Sequence, residues 1–138
     1  MMKLKGTLQK DGRWWIIACP ALDAMTQGSS RRGALEMMVD WVRTALDKPD
    51  FPVEIVAGKG LTFEMLVLDP GPVLGLIVQR QRGASGMTLE QLASKLHLKS
   101  RSTAKHYERG SNAISVARLI EILDATGAEL EINVKRLA

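Results

Sequence analysis

The sequence predicts an α+β protein: a small N-terminal sheet with one packed helix, followed by an all-α region that ends in a strand. Three observations carry this expectation. Short apolar or alternating runs occupy most of residues 1–68, and one stretch of helical period, 31–46, interrupts them. Asp69-Pro70-Gly71-Pro72 then breaks the chain, and the pattern turns helical immediately afterwards. Finally, Thr88 to Gly110 has the spacing of two short helices joined by a tight turn. The expected division is therefore into domains 1–69 and 73–138.

In the first part, Leu4 to Gln9 reads as a strand, and Asp11-Gly12 is a pair favoured in hairpin turns. Trp14 to Cys19 is a continuous apolar run ended by Pro20, which suits a central strand covered on both faces. Met25-Thr26-Gln27 makes a short third strand, and Gly28-Ser29-Ser30 breaks the chain before a helix. Within that helix Leu35, Met38, Val39, Val42 and Leu46 follow the 3.6-residue period and should face the sheet. Met37 and Trp41 lie beside this stripe, either as core or as a contact surface for another chain. Two further strands, Val53 to Ala57 and Leu61 to Leu68, flank a Gly58-Lys59-Gly60 turn.

In the second part, Leu74, Ile77 and Val78 mark a first helix. Thr88 and Gln91 have the spacing of a capping box, so the next helix should begin at Leu89 and bury Leu92, Ala93 and Leu96. Leu98 closes a turn that includes Lys99. A further helix opens at Ser100 or Arg101, turns Ala104 and Tyr107 inward, and ends at Gly110 as a left-handed cap. Arg101, Ser102, Thr103, Lys105, His106 and Arg109 then point outward, the set of donors that a helix entering a major groove would carry. With Thr88 and Lys99 at the helix ends, these are the candidate DNA-binding residues. The spacing Leu92-Ala93, Ser100-Arg101-Ser102-Thr103, Glu108-Arg109-Gly110 resembles the repressor-type helix-turn-helix family. Ser115 should cap a later helix with Leu119, Ile120, Ile122 and Leu123 inside and Gly127 at its end.

The tail from Glu129 to Lys135 alternates polar and apolar residues and predicts a strand whose buried side is Leu130, Ile132 and Val134. A lone strand after a helical bundle must pair with the same strand of a second copy or with the N-terminal sheet. A two-fold dimer is expected, because helix-turn-helix proteins commonly read two half-sites.

Charge is unevenly distributed. Residues 1–72 hold nine Lys and Arg against nine Asp and Glu, whereas 73–138 hold ten against six, so the whole net charge of +4 lies in the second part. Between Gln79 and Gly110, seven cations (Arg80, Arg82, Lys95, Lys99, Arg101, Lys105, Arg109) oppose only Glu90 and Glu108, an electrostatic footprint suited to phosphate.

The chain's 138 residues, 46% hydrophobic and 25% charged, argue for a folded protein and against disorder. No apolar run approaches the roughly 20 residues that span a bilayer, and the start MMKLKGTLQK lacks an apolar signal core, so a cytoplasmic protein is expected. The single Cys19 lies in an apolar run and should be a buried thiol.

Trp14-Trp15-Ile16-Ile17-Ala18-Cys19-Pro20, then Thr26-Gln27-Gly28 and Ala34-Leu35, resembles the HicB antitoxin family, many members of which carry a helix-turn-helix after this domain. The resemblance implies a truncated ribonuclease H-like first domain that binds and covers a small HicA-like, mRNA-cleaving toxin, and a second domain that represses the protein's own operon. No catalytic or metal site and no cofactor is expected: Asp11, Asp23, Glu36, Asp40 and Glu64 are scattered over turn, loop, helix and strand, and His97 and His106 lack neighbours at metal spacing. The competing expectation is a stand-alone transcription regulator whose first domain senses a ligand or only dimerises.

Overall fold

The structure, a computed structural model, describes residues 1–110 and 114–137. Its N-terminal half contains strands β1 (Met2–Asp11), β2 (Trp14–Cys19) and β3 (Ala24–Gly28), helix α1 (Arg31–Leu46), and strands β4 (Val53–Ala57) and β5 (Thr62–Val67). The five strands form one sheet in the order β3-β2-β1-β5-β4, antiparallel throughout. β1 is longer than its apolar pattern because it serves two partners. Residues Thr7 to Asp11 pair with β2, and Met2 to Thr7 pair with β5. Asp11 faces Trp14, so the hairpin loop is Gly12-Arg13, with Gly12 at φ +59°.

Alternation along each strand sends one set of side chains beneath α1. Leu8, Ile17, Cys19, Phe63, Met65 and Val67 are buried there against Ala34, Met38 and Val42 of the helix. α1 has the expected bounds, but its stripe is centred one position away from expectation: Ala34 is fully buried, while Leu35 and Leu46 pack at its flanks. β2 lies inside the sheet, yet only one of its faces is covered. Trp14 remains 37% exposed, and Ile16 and Ala18 on the same face are half-buried. An unbroken apolar run therefore signals here a sheet whose outer face is itself apolar, rather than a strand covered on both sides.

Gly28 shows why Thr-Gln-Gly precedes the helix. A Cβ at this position would stand 2.4 Å from the Ala34 amide nitrogen and 2.7 Å from the Gly33 carbonyl carbon. Only a residue without a side chain lets β3 end against the first turn of α1. Ser30 caps that turn, its hydroxyl accepting from the Gly33 amide at 2.9 Å.

The helical half comprises α2 (Pro70–Ala84), α3 (Leu89–Lys95), α4 (Arg101–Arg109) and α5 (Val116–Thr126). The Asp69-Pro70-Gly71-Pro72 run lies between β5 and α2, as expected, and also starts the helix. Asp69 is the N-cap of α2, and the prolines occupy its first turn, where an amide proton has no helical acceptor to serve. α5 starts at the Ser115 cap and ends at left-handed Gly127 as expected, but Ile120 is 39% exposed and only Leu119, Ile122 and Leu123 are buried. Buried residues from Leu8 to Leu123 form one continuous cluster, with Val73, Leu76, Ile77 and Val78 of α2 in it.

The expected C-terminal strand does not form. Residues 128–137 have no regular secondary structure; Leu130 packs on the core, whereas Ile132 and Val134 are 64% and 87% exposed. Nor does the tail join the N-terminal sheet, whose edges are β3 and β4. Alternation supplies a strand's faces, but a ladder also needs a neighbouring backbone, and a single chain offers none there.

Replacing Gly28 by Val should force β3 and α1 apart and destabilise the protein by about 1 to 3 kcal/mol, the range for an overpacked site. Urea unfolding followed by tryptophan fluorescence checks this; an unchanged midpoint would show that the β3–α1 junction has room to spare.

Candidate nucleic-acid interface

Local chemistry fixes α3 and α4 in turn. The Thr88 hydroxyl accepts from the Gln91 amide at 3.1 Å, and the Gln91 side chain accepts from the Thr88 amide at 2.8 Å, completing the capping box. α3 ends where His97 adopts a left-handed conformation, φ +56°, which nothing in the residue pattern announced. The Leu98 amide then donates to the Ala93 carbonyl at 2.8 Å, and Leu98 packs on the core. Ser100 precedes α4 in extended conformation, and Gly110 ends the helix at φ +63°. Ala104 is fully buried.

α4 also leans closely on α2, at Gly75. A Cβ there would meet the Gly110 nitrogen at 2.6 Å and the Glu108 and Tyr107 carbonyl oxygens at 2.7 and 2.9 Å. The backbones touch because Gly75 has no side chain.

Of the candidate DNA-binding residues, Lys99, Arg101, Ser102, His106 and Arg109 are exposed on α4 and its lead-in, Thr103 and Lys105 are half-buried on the same helix, and Thr88 is exposed at the start of α3. Arg101 pairs with Glu90 at 3.1 Å, but both side chains are more than 60% exposed. Such a pair contributes at most about 1 kcal/mol, so the guanidinium can exchange Glu90 for a phosphate or a guanine edge. Thr88 has committed its oxygen lone pair to the cap and still has a hydroxyl proton to donate.

Three cations of the basic stretch are used elsewhere. Arg82 makes a two-pronged pair with Glu108, Nε to Oε2 at 2.7 Å and Nη2 to Oε1 at 2.9 Å, and its Nη1 donates to the Met87 carbonyl at 2.9 Å. The Glu108 side chain is only 3% exposed, and its hydrogen bonds push the Arg82 pKa up further, holding the guanidinium charged. Arg80 donates to the Leu22 and Asp23 carbonyls at 3.0 and 2.7 Å and stacks over the Trp41 ring at 5.2 Å. Lys95 donates to the Ala125 carbonyl at 3.1 Å. The outward charge on α4 and its lead-in is therefore that of Lys99, Arg101, Lys105 and Arg109, with the exposed Lys95 on α3 turned to the Ala125 carbonyl. The sequence did carry a sign of this: Glu108 stands four residues after Ala104, on the same inward face of α4.

Residues 78–133 match a helix-turn-helix family model, from the second half of α2 through α5 into the tail. The chain carries a DNA-binding helix-turn-helix domain. No curated protein matches the chain. The match supports transcription regulation as the domain's task.

Away from the helix-turn-helix domain, Met37 is 43% exposed, and Trp41 is half-buried under Arg80. Both line an open hollow of about 380 Å³ beside β3. Cys19 is fully buried, and burial pushes its thiol pKa up, which makes it a core residue. Among the described residues, no three His, Cys, Asp or Glu side chains gather at one point, and no helix is long and apolar enough to cross a membrane.

Replacing Arg101 and Lys105 together by Ala should weaken DNA binding, with loss of an Arg–guanine contact costing about 1 to 3 kcal/mol at one base position and the Lys–phosphate contact acting on all sequences alike. A mobility-shift titration at fixed salt checks this, and unchanged affinity would remove α4 as the reader. Replacing Glu108 by Ala should cost about 2 to 4 kcal/mol of stability, because it strands Arg82 beneath the domain. Chemical denaturation is the readout, and a loss below about 0.5 kcal/mol, the usual range for surface substitutions, would mean that the pair is solvated.

Proposed function

We propose that the protein is the antitoxin of a type II toxin–antitoxin pair, acting in the cytoplasm. Residues 1–69 bind and cover a HicA-like, mRNA-cleaving toxin, and residues 73–138 bind operator DNA and repress the operon. The reading assigns no catalysis and no cofactor to the chain. The observation that carries it is a sheet-and-helix half with an open edge at β3, flanked by Met37 and Trp41, docked on a helix-turn-helix domain. Similarity of the Trp14–Gly28 stretch to the HicB family supplies the toxin as partner, together with the expectation of a truncated ribonuclease H-like first domain. Homodimerisation through Leu130, Ile132 and Val134 belongs to the same reading, since the exposed Ile132 and Val134 leave an alternating segment ready for a second copy.

A stand-alone regulator with a ligand-sensing first domain is the second reading. An open hollow of about 560 Å³ between the two halves, lined by Asp23, Leu76, Gln79 and Arg82 among others, favours it.

Co-expression of the neighbouring reading frame with the full chain tests the choice. Growth arrest by the neighbour alone, relieved by this protein, is expected; a harmless neighbour would leave the regulator reading. The structure also specifies the fragment. Residues 1–69 lack the α2 side chains that hold the turn at Pro20–Leu22, whereas residues 1–84 retain them, so the longer fragment should neutralise the toxin without binding DNA. Neutralisation by 1–69 with equal stability would show that α2 is dispensable. Deleting residues 130–138 should yield monomers with weaker operator binding, and a dimer still seen by light scattering would remove the tail as the joint.

A further inference from the structure

β3 is an edge strand, and its helix-side flank is shaped. Two open hollows lie along it and share Thr26, Met37 and Asp40. The first, about 670 Å³, extends toward Trp14, Gly28 and Glu36; the second, about 380 Å³, extends toward Trp41 and Ala45. Along an extended chain, side chains on one face recur every second residue, about 7 Å apart. A strand added beside β3 would therefore place two alternate side chains over this flank, while its backbone met the open edge.

The two hollows differ in chemistry. Glu36 and Asp40 both border the first; Glu36 is loosely paired with Arg32 at 3.3 Å with both side chains well exposed, and Asp40 has no ion pair among the described residues. The second is bordered by Met37, the Trp41 ring and Ala45, with the shared Asp40 and Arg80 both at its rim. The first is lined by two carboxylates and no cation, whereas in the second Arg80 offsets Asp40, so a cation is favoured in the first and an apolar side chain against the Trp41 ring in the second.

We propose that β3 is a docking edge for an extended segment of a partner protein that presents a basic and an apolar residue two positions apart, the basic one toward Glu36 and Asp40 and the apolar one against Met37 and Trp41. This rests on the partner-binding role proposed above for the first half and specifies its mode: strand addition at β3, not at β4, by a cationic segment. In a chain of net charge +4 with a basic helix-turn-helix domain, this flank offers carboxylates to a basic partner.

The test uses the full-length chain, isotope-labelled, and an acetylated, amidated peptide Lys-Thr-Val-Thr-Lys-Thr-Val, with a second peptide carrying Glu in place of Lys. Amide shifts and slowed hydrogen exchange at Met25 to Gln27, with a shift of the Trp41 indole, are expected for the Lys peptide alone. The variant E36K/D40K, altered only at exposed side chains, should weaken that binding about tenfold, as expected for reversing two rim charges. Equal binding of both peptides, no response at β3, or a response centred on β4 or on the outer face of the sheet would each overturn the proposal. These outcomes are independent of whether the neighbouring gene encodes a toxin: peptide docking at β3 beside a harmless neighbour would sink the antitoxin reading and leave the edge, and toxin neutralisation without any response at β3 would do the reverse.

Discussion

Two neighbouring residues of α2, Arg80 and Gln81, hold the two halves of the molecule to one another, and the next, Arg82, ties α2 to α4. Arg80 and Gln81 reach into the N-terminal half, where they donate to the carbonyls of Pro20, Ala21, Leu22 and Asp23, and Arg80 covers Trp41. Arg82 points the other way and pairs with Glu108 of α4. Within the turn at Pro20–Leu22 the Asp23 amide already donates to the Pro20 carbonyl, and the α2 side chains add donors to that carbonyl and to those of Ala21, Leu22 and Asp23. A hydrogen bond from the charged Arg80 contributes more than one from the neutral Gln81 amide, roughly 1.5 to 3 against 0.5 to 1.5 kcal/mol before solvent screening. A helix that belongs by sequence to the helical half thus completes the sheet half.

This arrangement gives the two proposed tasks a physical link. Trp41 lies under Arg80 on one side and lines the β3 hollow on the other, and Glu108 emerges from the helix that carries Arg101 and Lys105. A ligand that changed the packing of Trp41 would act on α2, and α2 contacts α4 through both Gly75 and Arg82. Coupling requires only that the ligand prefer one arrangement of that helix.

Much of this was legible in the sequence, for reasons that differ by element. α1, the capping box of α3, the Gly110 cap and the Ser115 cap are set by interactions within a few residues, so pattern and propensity suffice. The ends of β1, the one-sided covering of β2 and the missing tail strand depend on what lies alongside, which a local pattern does not contain. The Asp69–Pro72 run marks the change from sheet to helix because prolines fit neither a strand nor a helix interior, and at the first turn the same residues start α2. Counting charges finds the basic stretch but does not reveal that Arg80 and Arg82 are engaged within the fold. Their partners, Leu22 and Glu108, lie 58 and 26 residues away, beyond the reach of spacing rules.

The central claim, that α2 makes one cooperative unit of a sheet half and a DNA-reading half, is tested most directly by equilibrium urea unfolding followed with two probes. All three tryptophans, Trp14, Trp15 and Trp41, lie in the sheet half, while Tyr107 lies on α4 in the helical half and is the only tyrosine. Coincident tryptophan fluorescence and Tyr107 side-chain NMR transitions are expected for the natural sequence, with separation into two transitions on replacing Arg80 and Gln81 by Ala. Two separate transitions in the natural sequence, or coincident ones in the variant at an unchanged midpoint, would contradict the account.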